Sequence, residues 1–249
     1  MSTMSKRAVV LAGGRGTRLR PYTVVLPKPL MPIGEYPILE VIIRQLVRFG
    51  FDRITLAVNQ QAEIVKAFCQ DGARWRAQID YSLEAKPLST IAPLKLIGDL
   101  PEDFLLLNGD VLTDLDFASF YERHIREQRL FTISAFTRRH VIDYGVLEMD
   151  ASNRLSGFLE KPAHEYLVSM GVYAVNRRVL DLVPADTKYG FDDLMLEMLR
   201  AGWAAYVEPY SGEWLDIGRP DDYLQAIDTF EQSRSRLLPE EETGAIAGI

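Results

Sequence analysis

The sequence predicts an α/β fold: a three-layer α/β/α domain on a mostly parallel mixed sheet, with a small antiparallel extension. Three observations carry this. Short β-branched runs alternate with amphipathic helical stretches through the first half of the chain, as βαβ units do. The strand candidates are nearly continuous apolar runs, as a sheet covered on both faces requires. After residue 144 the helices drop out for about thirty residues and three strand-like segments follow one another on short connections.

Taken in order, "AVVLA" (8–12), "RITLAV" (53–58), "QIDYSLE" (78–84) and "FLLLNGD" (104–110) are the first strands, with helices predicted over 36–49, 61–70 and 91–98 between them. A helix over 116–128 and a strand over 130–136 follow. "YGVLEMD", "RLSGFLEKP" and "YLVSMGVYAV" supply the antiparallel or mixed extension within 144–175. Helices return over 176–183, 191–200 and 220–233. No linker rich in Pro, Gly or Ser divides the chain, so one domain is expected over 1–233. The polar, acidic stretch 234–249 is expected to be a flexible tail.

Bulk properties narrow the function. The 249 residues are 47% apolar and 25% charged, an ordinary globular composition, and suffice for one sizeable core. A net charge of −7 argues against nucleic acid or an anionic membrane as partner, so any phosphate chemistry needs a locally basic site. The single cysteine, Cys69, excludes an intrachain disulfide and a thiolate metal cage. The apolar run before the first glycines is too short for a signal sequence, and no run reaches the ~18 apolar residues of a membrane span. A cytoplasmic protein is the expectation.

The locally basic site begins directly after the first strand. In "LAGGRGTRL" (11–19) the glycines at 13, 14 and 16 let the backbone turn sharply and bring its N–H groups close to a ligand, and Arg18 follows. Unshielded amides beside an arginine form a phosphate cradle, though a glycine-rich turn with incidental surface arginines has the same letters. The loop fits neither G-x-G-x-x-G, whose last glycine is replaced by Leu19, nor a Walker loop, which ends in G-K-[ST]. In "LPKPLMPIG" (26–34), Lys28 stands between two prolines that limit where its ammonium can reach.

Together the glycine loop, Arg18 and the P-K-P segment resemble the signature of the sugar-1-phosphate nucleotidyltransferases, the NDP-sugar pyrophosphorylases. The resemblance covers roughly residues 7–230 and is nearest in wording, at "RLRPYTVVLPKPL" and "WLDIGRPDDY", to the mannose- and heptose-1-phosphate guanylyltransferases. It implies a Rossmann-like nucleotidyltransferase domain with a nucleotide-binding part over about 1–115 and a sugar-binding part over about 140–220. It also implies transfer of a nucleoside monophosphate from an NTP to a sugar 1-phosphate by in-line displacement. The protein then needs to position and neutralise phosphates, not to supply a nucleophile.

The resemblance assigns residues to roles. Arg18, Lys28 and Lys161 are the catalytic cations. Leu11, Ala12, Gly13, Gly14, Gly16, Thr17, Glu84, Pro87, Leu88, Ser89 and Gly109 are the nucleotide-binding set. Gly145, Glu160, Lys161, Ser169 and Gly171 belong to the sugar side. Asp110, ending "LLNGD", and Asp216 in "EWLDIGRPDDY" are the ligands of a Mg²⁺, a hard cation that takes few carboxylates plus phosphate oxygens and water. Taken singly, each aspartate also reads as a turn or capping residue, and "FLEKP" as an exposed ion pair at a strand end.

Two departures from the family pattern point to an altered pocket. Ser169 stands where an asparagine is usual, and in "LEAKPLSTIAPL" (83–94) Ser89, Ile91 and Ala92 replace Gly, Ala and Gly. Glu84 bears on the base. Guanine presents adjacent N1–H and N2–H₂ donors, and a carboxylate is a bidentate, acceptor-only partner for them, whereas uracil and thymine suit an amide better. GTP is therefore the expected nucleotide. Transfer of cytidylyl or thymidylyl groups, and a non-catalytic nucleotide-sugar-binding relative, are the alternatives; the latter is expected to lack Arg18, Lys28 or an aspartate, and all are present. His124, His140 and His164 have no ligand spacing, and Trp75, Trp203 and Trp214 are expected in the core or at its rim. A monomer and a homodimer are both open.

Overall fold

The computed structural model describes residues 6–14, 16–59 and 61–238. In chain order the elements are β1 (Arg7–Leu11), β2 (Pro32–Ile33), β3 (Tyr36–Pro37), α1 (Ile38–Arg48), β4 (Arg53–Val58), α2 (Ala62–Cys69), β5 (Gln78–Leu83), β6 (Asp103–Asn108), β7 (Val111–Thr113), α3 (Phe117–Arg126), β8 (Phe131–Val141), β9 (Gly145–Met149), β10 (Leu155–Glu160), β11 (Ala163–Asn176), α4 (Phe191–Ala201), β12 (Ala205–Tyr210), β13 (Trp214–Asp216) and α5 (Pro220–Leu237). Seven strands form the central sheet in the order β12-β8-β11-β6-β1-β4-β5. β1 pairs in parallel with β4 and β6, and β4 with β5, while β11 runs antiparallel to both β6 and β8.

The strand period sorts side chains into two cores, one on each face of the sheet. Ala8 and Val10 of β1 and Leu105 and Leu107 of β6 pack with α1, α3 and α5 on one face. Val9, Phe104 and Leu106 pack with Tyr173, Val175 and α4 on the other. Successive residues of a strand point to opposite faces, so a run that is apolar at every position needs a cover on both sides. β1, β4 and β6 are therefore shielded in the middle of three layers, and their C-terminal ends open between β4 and β6, where the chain direction of winding switches about β1.

Several expected elements change. The helices predicted over 91–98 and 176–183 are single 3₁₀ turns, Ala92–Leu96 and Arg177–Leu182. In the first, the N–H groups of Ile91 and Ala92 both donate to Tyr189 O, which ties the segment to a distant loop instead of extending a helix. β2, β3, β7, β12 and β13 are not among the expected elements, and β3 takes the first two residues of the helix expected over 36–49. β7 and β13 are three residues long, and β12 carries Glu208 and Pro209 at the sheet edge, where a missing N–H is tolerated.

The last helix continues past 233. Leu237 is fully buried and its carbonyl accepts from Gln45 Nε2 at 2.6 Å, so residues 234–237 belong to the domain and not to a tail. Residues 239–249 of that expected tail lie outside the described residues. Leu237→Ala is expected to cost about 2–4 kcal/mol, a fully buried leucine's range, measured by urea denaturation; a change within error would return the segment to the tail. No helix among the described residues is long and apolar enough to cross a membrane.

Candidate active site

A cleft of about 340 Å³ opens at the C-terminal ends of β1, β4 and β6, lined by Leu11, Gly13, Gly14, Asn59, Glu84 and Asp110 among others. The glycine loop forms one wall. Gly14 has open space where a Cβ would stand, whereas a Cβ on Gly13 would lie 3.1 Å from Glu84 Oε1 and 3.4 Å from Asn59 Nδ2. Gly16 turns the chain at φ +58°, and Thr23 Oγ1 donates to its carbonyl at 2.6 Å. A Cβ there would stand 2.8 Å from the Thr23 methyl. Gly16→Ala is therefore expected to lose about 1–2 kcal/mol from the left-handed conformation, read as a shift in denaturation midpoint. Gly109 has a different reason: its N–H donates to Leu11 O at 3.0 Å, and a Cβ would meet that oxygen at 2.8 Å.

Glu84 and the following loop adjoin it and complete the lining. One carboxylate oxygen of Glu84 accepts the Leu88 N–H at 3.0 Å, and burial raises the carboxyl above its ordinary range against that bond. Pro87 and Ser89 line the cleft. Ser89 holds φ +75°, so a serine keeps the conformation a glycine would adopt without strain. Leu88 departs from its expected place: its side chain is buried in the core beside Ile91 and Leu94, and only its backbone serves the site. Ala12 is likewise buried, its N–H donating to Ala57 O at 2.8 Å.

The charged centre lies beside this cleft. β7 and β13 pair antiparallel with Asp216 opposite Val111, and the Ile217 N–H donates to Asp110 O at 3.1 Å. Two aspartates a hundred residues apart in sequence thus share one place. Lys28, buried at 8% exposure in the 3₁₀ turn Lys28–Leu30, makes an ion pair with Asp110. The Asp216 carboxyl is held above its ordinary range, first by burial and then by the Asp110 charge, while Lys28 and Arg138 pull it down. Two neighbouring carboxylates, one of them paired with a lysine, suit a hard divalent cation. Among the described residues no group of three or more His, Cys, Asp or Glu could hold a metal, so such an ion would complete its shell from substrate oxygens and water.

The expected sugar side forms a second group. Gly145 and Glu160 are register partners in the β9–β10 hairpin, and a Cβ on Gly145 would meet the Phe158 ring at 2.6 Å. Lys161, at φ +44°, pairs with Asp143 at 2.7 Å and is half-exposed. Ser169 donates to Tyr173 Oη at 2.9 Å, and burial pushes that phenol up to about 12, with Asp110 nearby adding to the shift. Gly171 turns at φ +78°, where a Cβ would stand 2.6 Å from Asn108 Nδ2, a cleft residue. Gly171 therefore lies against the cleft, with Ser169 two residues before it. Thr17 and Arg18 are exposed in the turn Thr17–Leu19, outside the cleft lining, as are Lys161, Glu160 and Gly145.

A family model described as nucleotidyl transferase matches residues 7–233. The chain belongs to the nucleotidyl transferase family. A UTP–glucose-1-phosphate uridylyltransferase of Synechocystis sp. is 34% identical over 241 residues, covering 89% of this chain and 62% of that protein. A mannose-1-phosphate guanyltransferase of Yarrowia lipolytica is 31% identical over 94% of this chain and 66% of its own length. This nucleotidyl transferase chain thus spans about two thirds of these relatives. Among solved structures, HddC from Yersinia pseudotuberculosis superposes with a TM-score of 0.71 at 26% identity, covering 90% of this chain and 99% of that one. A second HddC structure, complexed with GMP-PN, gives a TM-score of 0.70 at 25% identity, with the same coverage of both chains.

The cleft also contains residues the motifs did not announce. Asn59 follows β4 and Asn108 ends β6, so the rule that ligands sit at strand C-termini could have found both. Thr90 and Lys188 had no such signal. Lys188 reaches the cleft because the Tyr189 N–H donates to Leu88 O at 3.0 Å, stitching two segments a hundred residues apart.

Proposed function

We propose that this nucleotidyl transferase moves a nucleoside monophosphate, GMP first, from an NTP to a sugar 1-phosphate and releases pyrophosphate. The observation that carries the reading is the meeting of Lys28, Asp110 and Asp216 beside a cleft walled by the glycine loop and Glu84. A phosphate oxygen of the sugar 1-phosphate forms a bond to the α-phosphorus, the bond from that phosphorus to the bridging oxygen breaks, and the electron pair leaves with pyrophosphate. No protein nucleophile takes part.

The roles follow from charge and position. The backbone N–H groups of Gly13 and Gly14 face the triphosphate, with Arg18 reaching from the adjoining turn to the leaving phosphates. Lys28 neutralises the transferred phosphoryl group, and Lys161 and Glu160 hold the sugar phosphate and hydroxyls from the hairpin. Mg²⁺ bound by Asp110 and Asp216 would draw charge from the reacting phosphates as it builds. Holding Asp216 ionised against Asp110 falls to Lys28 and Arg138 until such an ion is bound.

Glu84 supports guanine. It faces the cleft with one oxygen already fixed by the Leu88 N–H, leaving lone pairs on both oxygens for the N1–H and N2–H₂ pair. The guanyltransferase relative and the HddC structure holding GMP-PN agree with that reading, and the uridylyltransferase relative makes UTP the second candidate. Glu84→Gln is expected to reduce kcat/KM with GTP by about tenfold or more while UTP is affected less, because a buried acceptor pair becomes mismatched to two donors. The check is pyrophosphate release with GTP and UTP in turn; equal losses with both would separate Glu84 from base reading.

A further inference from the structure

One cation beside the carboxylate pair has no carboxylate of its own. Arg138, on β8, is an exposed residue that makes no ion pair among the described residues. Its guanidinium lies instead over the indole of Trp214, 4.7 Å from the ring centroid. The indole is fixed in turn: its Nε1–H donates to Met170 O at 3.0 Å, and the Phe136 ring packs 5.3 Å away. Trp214 and Asp216 stand two residues apart on β13 and so share a face of that strand. Arg138 is thus held by Trp214 at the face of β13 that also carries Asp216.

The strand that carries Arg138 decides which anion it meets. β8 pairs with β11, with Arg138 opposite Tyr166 and Ala135 opposite Ser169, and β11 continues from the hairpin that holds Glu160 and Lys161. On the sugar-1-phosphate reading this is the acceptor side. Lys161, the cation expected for the acceptor phosphate, has its ammonium engaged by Asp143 at 2.7 Å. Arg138 offers a planar fork of donors that fits two phosphate oxygens at once, and stacking on Trp214 fixes its plane without consuming those donors.

We propose that Arg138, seated on Trp214, binds the phosphate group of the sugar 1-phosphate next to Asp216. The proposal rests on the sugar-1-phosphate reading above for its ligand. Its chemistry is that of a charge-assisted, two-oxygen contact that lowers the repulsion between the attacking phosphate and the NTP. A lysine in place of Arg138 keeps the charge and loses both the stacking on Trp214 and the second hydrogen bond.

The test measures binding and turnover separately. Calorimetric titration with mannose 1-phosphate, glucose 1-phosphate and inorganic phosphate is run on the wild type, Arg138→Gln, Arg138→Lys and Trp214→Phe, alongside thermal melts that confirm folding. Arg138→Gln is expected to weaken sugar-phosphate binding about tenfold or more and to raise the sugar-phosphate KM to match, with the GTP KM within about twofold. Arg138→Lys recovers part of the loss, and Trp214→Phe, which keeps an aromatic face, loses less than Arg138→Gln. Unchanged sugar-phosphate binding in Arg138→Gln, a rise in the GTP KM instead, or no binding of any phosphate by the folded wild type would overturn the proposal. Phosphate binding that depends on Arg138 in a protein that turns over none of the sugar phosphates would keep Arg138 as an anion site and defeat the transferase reading.

Discussion

Lys28→Met is expected to lower turnover by a factor of about 10² to 10³ while leaving a folded protein. Lys28 is the buried cation at the carboxylate pair, and the prolines at 27 and 29 fix the turn that presents it. Methionine keeps the volume and the apolar stem contacts, so packing survives. What disappears is the charge opposite Asp110, in a place that water only partly reaches. Two phosphate-bearing substrates then meet with less positive charge between them, and the loss falls on kcat more than on stability. The stability change should stay within about 1–3 kcal/mol, the range for one broken, half-shielded partnership. Pyrophosphate release and urea denaturation on the same preparation separate the two effects. Loss of turnover only in step with loss of folded protein would make Lys28 a structural residue.

Asp216→Asn should abolish turnover, by about two orders of magnitude or more, and yet leave the metal-free protein as stable or more stable at neutral pH. The sign follows from the raised carboxyl of Asp216. A group whose folded pKa lies above its unfolded one stabilises the fold below the ordinary carboxylate range and loses that contribution as pH rises through the folded value. At neutral pH the ionised carboxylate is half-buried against Asp110, and asparagine removes that cost while keeping the shape. In chelator the wild-type melting temperature is therefore expected to fall relative to Asp216→Asn as pH rises from mildly acid to neutral. Added Mg²⁺ should raise the wild-type value and leave the variant's unchanged, because only a ligand that binds the folded state shifts the melt. A variant less stable than the wild type in chelator at neutral pH, and still responsive to Mg²⁺, would take Asp216 out of the metal site.

The parts of this fold that could be read from the sequence are those with a period or a fixed local chemistry. "RITLAV" is apolar at nearly every position and forms a strand over the bounds expected, Arg53–Val58. The glycine loop was legible because the turn at Gly16, at φ +58°, favours glycine. Asp110 and Asp216 could be paired from the family's motifs, but the physical reason for their meeting, a three-residue antiparallel ladder between β7 and β13, is too short to carry a period. Leu88 shows a related limit: its N–H bonds Glu84 while its side chain is core, and a one-letter motif does not distinguish the two. Lys188 and Arg138 depend on long-range contacts, one through the Leu88–Tyr189 backbone bond and the other through Trp214, and neither leaves a local trace. The segment at 91–98 has helical letters, yet Tyr189 O takes the N–H groups that would have begun the helix.

The central claim is nucleotidyl transfer to a sugar 1-phosphate at the Lys28–Asp110–Asp216 centre. It is tested most directly by incubating the purified protein with mannose 1-phosphate, glucose 1-phosphate or a heptose 1-phosphate and each NTP in turn, with Mg²⁺ or with chelator, and measuring pyrophosphate. The account predicts release that requires both a sugar 1-phosphate and Mg²⁺, is fastest with GTP, and is lost in Asp110→Asn. Release of pyrophosphate without any sugar phosphate, or undiminished release in chelator or in Asp110→Asn, would contradict it.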